Sequence, residues 1–163
     1  MKRTLCVFLA VCLCLVLCAC GKEDTTTTAH TYEDLTIRLP ADFIDLSDEA
    51  YAAGLAFLHG LDPIAVNGLR EEKALFASYG LELDLERYAK LVVLSNNLTV
   101  QPEKKDGILT FSYEAVTDGV SYTYVVTLWE TDDAFWTVQA YCPTADYSDV
   151  KDEIWDILSS VTV

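Results

Sequence analysis

The stretch YTYVVTLWETDDAFWTVQAYCP, Tyr122 to Pro143, decides the fold. It holds two runs of β-branched and aromatic residues around a polar break, Thr131-Asp132-Asp133. Such side chains pack well on a pleated surface and favour strands. Aspartate at the break can bond its own backbone and favours a turn. The stretch therefore reads as two adjoining strands, Ser121 to Glu130 and Ala134 to Cys142. Successive strand side chains point to opposite faces. In the first run Tyr122, Tyr124, Val126 and Leu128 oppose Thr123, Val125, Thr127 and Trp129. In the second, Trp136, Val138, Ala140 and Cys142 oppose Phe135, Thr137, Gln139 and Tyr141. One face is strongly apolar, yet the other keeps Val125, Trp129, Phe135 and Tyr141. An antiparallel sheet with one face in water alternates more cleanly than this. Helices are therefore expected over part of both faces.

Working outward, Ile108 to Ala115 is a third strand, with Leu109, Phe111 and Tyr113 on one face. Asp106-Gly107 leads into it and Thr117-Asp118-Gly119 separates it from the next, and Asp-Gly pairs are hairpin signals. Downstream, residues 145–159 return to helical spacing. Val150, Ile154, Ile157, Leu158 and Val161 make one apolar stripe, and Asp146 is a candidate cap. Upstream, Asp84 is a candidate N-cap for LERYAKLVVLSNNL. There Leu85, Tyr88, Ala89, Val92 and Ser95 share a face, and Asn96-Asn97 is a stop. The segment Glu71 to Tyr79 would allow one or two helical turns ending at Gly80. Nearer the start, Leu35 to Leu39 alternates apolar and polar and Pro40 ends it. Gly54 to His59 and Ile64 to Leu69 are further extended segments around a turn at Leu61-Asp62-Pro63. No internal repeat is present.

The first twenty of the 163 residues have a different character. Met1-Lys2-Arg3 supplies a positive end, and Leu5 to Leu17 is an apolar run too short for an ordinary spanning helix. Five of the six cysteines lie here, which leaves only Cys142 in the body and no internal disulfide. The run ends in Leu17-Cys18-Ala19-Cys20, which resembles the bacterial lipobox. That resemblance implies cleavage between Ala19 and Cys20 and a diacylglycerol on the Cys20 thiol. The alternative is an ordinary secretory signal cut near Ala19. The expected organisation is a lipoprotein signal peptide over residues 1–19, a lipid-anchored flexible tether over 20–31, and one domain over 32–163. The threonine-rich tether holds almost no large apolar residue with which to order itself. A double acyl anchor holds a protein firmly to a membrane. The expected address is extracytoplasmic, on the outer face of the bacterial cytoplasmic membrane.

Charge narrows the function. The formal net charge is −15, and loss of Lys2 and Arg3 with the leader takes it to −17. Nucleic-acid binding needs basic patches, so that class is set aside. Two histidines and one body cysteine cannot supply a zinc set with the usual spacing. Glu130-Thr131-Asp132-Asp133 and the stretch Asp146 to Glu153 are acidic but lack the spaced pattern of a calcium loop. No G-x-S-x-G elbow, S-x-x-K pair or glycine-rich phosphate loop occurs. A serine triad would have to use His59 or His30. Cys142, on the face of Trp136 and Val138, reads as a buried core cysteine. No catalytic, cofactor-binding or metal-binding residue is assigned. Nine tyrosines and three tryptophans remain as the lead, because both side chains join apolar area to a polar tip. If they form a binding patch, Trp129, Phe135 and Tyr141 on the less apolar sheet face are its candidates.

Taken in order, DLTIRLPADF, the helix DLERYAKLVVLSNNL, the pair YTYVVTLWE and AFWTVQAYCP, and a last helix ending ILSSVTV resemble the Mog1/PsbP-like fold. The form resembled is that of small lipoproteins from Gram-positive gut bacteria. The resemblance covers nearly all of residues 32–163 and rests on strand and core patterns. It implies an α+β domain: a mostly antiparallel central sheet of about six strands flanked by helices, an α/β/α sandwich. The better-known branches resemble accessory proteins, one of a photosynthetic membrane complex and one of a small nuclear GTPase. No functional residue of either branch matches here, and function is argued from sites rather than folds. The expectation is a non-enzymatic accessory domain that binds another envelope protein or an extracellular ligand. The alternative is a small-ligand or cation-binding module on the cell surface.

Overall fold

The computed structural model describes residues 26–163. Cys20 and the preceding Leu17, Cys18 and Ala19 lie outside the described residues. In chain order the elements are β1 Thr27–Tyr32, β2 Leu35–Pro40, β3 Ile44–Asp45, α1 Ser47–Ala52, β4 Phe57–Leu61, β5 Ile64–Glu72, α2 Lys73–Ser78 and α3 Leu85–Ser95. Then follow β6 Glu103–Lys105, β7 Ile108–Thr117, β8 Val120–Glu130, β9 Ala134–Pro143 and α4 Tyr147–Ser159. Seven strands form one antiparallel sheet in the order β3-β4-β5-β9-β8-β7-β6, and β1 and β2 form a separate hairpin. The domain is thus α+β, with the expected antiparallel sheet. The sheet has seven strands because its edges carry two very short ones, β3 and β6, whose two and three exposed residues give no sequence signal.

Hairpin chemistry sets the register. Asp106-Gly107 and Asp118-Gly119 both have positive φ, which matches the twist of two-residue turns. They pair Lys105 with Ile108 and Thr117 with Val120. Between β8 and β9, Glu130 pairs with Phe135 and Trp129 with Trp136. The Thr131 N–H donates to the Ala134 carbonyl at 3.0 Å, which closes that loop.

Each sheet face has its own core. On the first face Phe57, Val66, Trp136, Val138, Ala140 and Cys142 pack against Leu35, Ile37 and Leu39 of β2 and against Ile154, Ile157 and Leu158 of α4. Thr36 and Thr162 exchange backbone hydrogen bonds at 2.9 Å, tying β2 to the chain beyond α4. On the second face Leu109, Phe111, Val126, Leu128 and Phe135 meet Tyr88, Ala89 and Val93 of α3. The Phe135 ring stacks on Tyr88 at 4.5 Å. Both faces are therefore covered in part, as the mixed alternation of β8 and β9 requires.

Asp84 caps α3 through its side chain, which accepts from the Arg87 N–H at 2.8 Å. The inward stripe of α3 runs through Val93, and Ser95 is exposed. Asp146 makes no side-chain cap bond to α4: its backbone is already helical, at φ −95° and ψ −13°, whereas a capping carboxylate needs an extended backbone. The 54–59 strand begins only at Phe57, after a turn at Gly54. β5 continues to Glu72, so the following helix is confined to Lys73–Ser78.

The tether also differs from its expected span. Thr27 to Thr31, assigned to it by composition, are strand residues of β1, paired one by one with β2. Backbone pairing needs no large side chains, and the end of β1 is fastened by rings. Tyr32 stacks on Phe57 at 4.4 Å, and His30 lies edge-on to His59 at 4.7 Å. The Tyr32 hydroxyl hydrogen-bonds His59 Nε2. His59 is fully buried, and its Nδ1 has no hydrogen-bond partner among the described residues.

Two predictions follow from this contact layer. Gly68 pairs with Phe57, and a Cβ on Gly68 would fall 2.2 Å from the Phe57 ring, which Tyr32 and Trp136 hold in place. Gly68→Ala should cost about 2 kcal/mol by overpacking; an unchanged urea midpoint would contradict this. Burial pushes the His59 ring below its ordinary 6.5, Asp45 opposes, and His30 adds to the fall. The unfolded chain therefore binds a proton on His59 where the folded chain does not. This contribution to stability is full above about pH 6.5 and is lost as pH falls through it. Between about pH 8 and pH 5 the wild type should lose more melting temperature than His59→Gln; parallel curves would contradict the linkage.

Candidate functional site

Four tyrosines converge on the second sheet face, at the end away from Tyr88 of α3. The two-residue turn at Asp118-Gly119 places Tyr113 opposite Tyr124, and the β8–β9 register places Tyr124 opposite Tyr141. Tyr113 and Tyr124 stack at 4.8 Å and 5°, and Tyr124 and Tyr141 at 5.0 Å and 25°. Tyr122 meets Tyr141 edge-on at 6.2 Å. The result is a ladder of rings across β7, β8 and β9, each half-buried. Burial pushes the Tyr113 and Tyr141 hydroxyls up, and the Tyr124 hydroxyl adds to both. The Tyr113 and Tyr141 hydroxyls therefore stay protonated near neutral pH and can donate.

Concavities flank the ladder on both sides. One, of about 340 Å³, joins Tyr122, Tyr141 and Pro143 to Ile44, Leu61 and Pro63 at the β3–β4–β5 edge. The other, of about 270 Å³, runs under α3 from Tyr113 to Glu71. Its floor is the sheet, with Asn67, Thr137 and Gln139. Val92 and Leu98 form its roof. The Tyr88 hydroxyl donates to Glu71 Oε2 at 2.7 Å and lies 2.8 Å from Thr137 Oγ1, which anchors the inner end.

A third feature is an open acidic cleft of about 1000 Å³ at the tip of the β1–β2 hairpin. Arg70 dominates it. Its Nε lies 2.9 Å from Glu33 and 3.5 Å from Asp34, and its Nη2 lies 3.0 Å from Asp133. Lys73 pairs with Glu130 at 2.8 Å. Partial burial works to raise the Asp34 carboxyl, but hydrogen bonds from Thr131, Trp136 and Arg70 hold it down at about 2. The acidic turn after β8 is thereby engaged in fastening the hairpin tip to β5 and β9. No group of three histidine, cysteine or acidic side chains among the described residues is placed to hold a metal.

The three aromatic residues singled out by sequence do not form one face. Trp129 pairs with Trp136 and packs toward the first core, whereas Phe135 and Tyr141 lie on the second face. Phe135 is buried beneath Tyr88 and Phe76, so of the two on the second face Tyr141 alone is half-exposed. Alternation sorts residues within a strand, but matching the faces of two strands needs their register. Alternation alone therefore groups Tyr122 and Tyr124 with the apolar side. The Asp118-Gly119 turn alone could have paired Tyr113 with Tyr124. Cys142 is fully buried, as its strand position suggests.

No family model matches the chain, and no curated protein matches it by sequence. Solved structures do resemble it. One is a protein of Bacteroides thetaiotaomicron VPI-5482, with TM-score 0.55 and 11% identity over 84% of this chain. This chain spans about half of that structure, 47% of its length. Another is the cyanobacterial PsbP (CyanoP) of Synechocystis sp. PCC 6803, with TM-score 0.50 and 14% identity over 89% of this chain and 95% of that one. The fold is thus PsbP/Mog1-like, in agreement with the resemblance carried by the strand and helix order.

Burial pushes the Cys142 thiol up, and Asp146 adds to the shift. A maleimide should therefore label Cys142 only in denaturant, because the thiolate is the reactive form; rapid labelling of native protein would refute a closed core at that position.

Proposed function

We propose that this chain is a non-enzymatic accessory domain that docks another envelope protein through its tyrosine ladder, outside the cytoplasm, while a diacylglycerol on Cys20 holds it to the membrane. The observation that carries the reading is the ladder itself. Four large rings remain half-exposed together on the second sheet face, and they lie between two concavities. Tyrosine is over-represented where proteins bind one another, because a rigid ring buries much area at small entropic cost. The anchor rests on Leu17-Cys18-Ala19-Cys20 and the charged, apolar leader before it. The non-enzymatic reading is supported by the fates of the usual nucleophile and base: Cys142 and His59 are both fully buried. The high acidity speaks against nucleic acid as the partner.

Crosslinking the full chain on living cells tests this reading. One protein should be captured reproducibly. Tyr124→Ala with Tyr141→Ala should weaken that capture by about 2 kcal/mol or more, as for central interface aromatics, with the melting transition still cooperative. Cys20→Ser should leave the membrane fraction and lose the capture. Capture unchanged by the tyrosine pair would move the interface elsewhere, and normal lipid labelling of Cys20→Ser would remove the anchor.

A further inference from the structure

The pocket beneath α3 holds polar groups that the fold itself does not use. Asn67 and Gln139 face each other across the β5–β9 pair, and both line the pocket. Asn67 is only 6% exposed, yet neither side-chain amide has a hydrogen-bond partner among the described residues. The amide atoms are open to the pocket rather than sealed away, since His59 Nδ1 is the one sealed side-chain polar atom without a partner among the described residues, so water or a ligand can meet them there. At the other end stands Glu71. Tyr88 donates to its Oε2 and so orients the carboxylate along the pocket. Among the pocket-lining groups Glu71 is the one carboxylate, and no lysine or arginine accompanies it. Asn67 and Glu71 lie on the same strand face four residues apart, about 13 Å between their backbones at about 3.3 Å per residue. Leu69, Val92, Leu98 and Phe111 form apolar walls between these two polar ends.

We propose that this pocket binds a small primary amine with an apolar middle and a neutral hydrogen-bonding far end. The ammonium group pairs with Glu71, the middle lies against the apolar walls, and the far end bonds the Asn67 and Gln139 amides. An anion is excluded because Glu71 would repel it and no cation answers it. The volume of about 270 Å³ admits a molecule of roughly ten heavy atoms. The site lies beyond the docking reading: Tyr124 and Tyr141 do not line it, so the two proposals fail separately.

Tyramine serves as the probe, and three relatives of nearly equal size vary one end at a time. Phenethylamine lacks the far hydroxyl, tyrosol replaces the ammonium by a hydroxyl, and 4-hydroxyphenylacetate replaces it by a carboxylate. Binding to the full chain is read by calorimetry and by the rise in melting temperature. Tyramine should bind saturably and more tightly than phenethylamine or tyrosol, and the carboxylate should not bind. Glu71→Gln keeps an acceptor for Tyr88 and should weaken tyramine about tenfold or more, which is 1.4 kcal/mol. Gln139→Ala should erase the preference for tyramine over phenethylamine. The proposal is overturned if no amine binds at millimolar concentration, if the carboxylate binds as well as tyramine, or if Glu71→Gln binds tyramine as the wild type does.

Discussion

The pairing of Glu130 with Phe135 across the β8–β9 loop governs most of what surrounds it. With that register, Trp136 turns toward the β1–β2 hairpin and α4, while Phe135 turns under α3. A slip of one residue would exchange those faces, because side chains alternate with a period of two. Trp136 would then lose Phe57 as a neighbour and the Asp34 carboxylate as acceptor for its Nε1 at 2.7 Å. Tyr88 would lose the ring on which it stacks. The Thr131–Ala134 backbone bond and the engagement of Asp133 with Arg70 hold this loop in place. Local loop chemistry and two separate cores thus agree on one register.

How much of this was legible depends on whether a signal is local. Leu35 to Leu39, the Asp84 cap, the Asp118-Gly119 turn and the Ile154–Ile157–Leu158 stripe are all written within a few residues, and the structure follows them. The hairpin strand Thr27–Tyr32 was hidden because its stability lies in backbone pairing and in two rings, Tyr32 and His30, whose partners sit far along the chain. The tyrosine ladder was hidden for a related reason. Nine tyrosines are visible in the composition, but their convergence depends on two registers at once. The amides of Asn67 and Gln139 carry no sequence signature, because what distinguishes them is the absence of a hydrogen-bond partner among the described residues.

The second sheet face divides its labour. The end nearest α3 is closed by Tyr88, Ala89 and Val93 against Leu109, Leu128 and Phe135. The far end carries the tyrosines. Between them α3 bridges over a polar floor rather than sealing on it, since Asn67, Thr137 and Gln139 replace the apolar residues that a closed core would need. The first face is closed at its centre: its buried Thr110 and Thr127 hydroxyls donate to the Val126 and Val138 carbonyls, and His59 Nδ1 alone is left sealed without a partner among the described residues. In this chain one side of the sheet is thus a closed core and the other leaves a polar floor and a row of tyrosines open.

The docking of β1 has a mechanical side. On the anchored reading, a pull between the membrane and a partner on the tyrosine ladder enters the domain at Thr27, the free end of β1 opposite Pro40. A force along the strand away from Tyr32 loads its six backbone pairs with β2 together, in shear, rather than peeling them one at a time. The far end is held by the Tyr32–Phe57 stack and the contact with His59, so β1 cannot slide without extracting an aromatic ring from the core. On that reading the hairpin is a strain relief: traction on the lead is taken up at its clamp, and the seven-stranded sheet that carries the tyrosines keeps its shape under load.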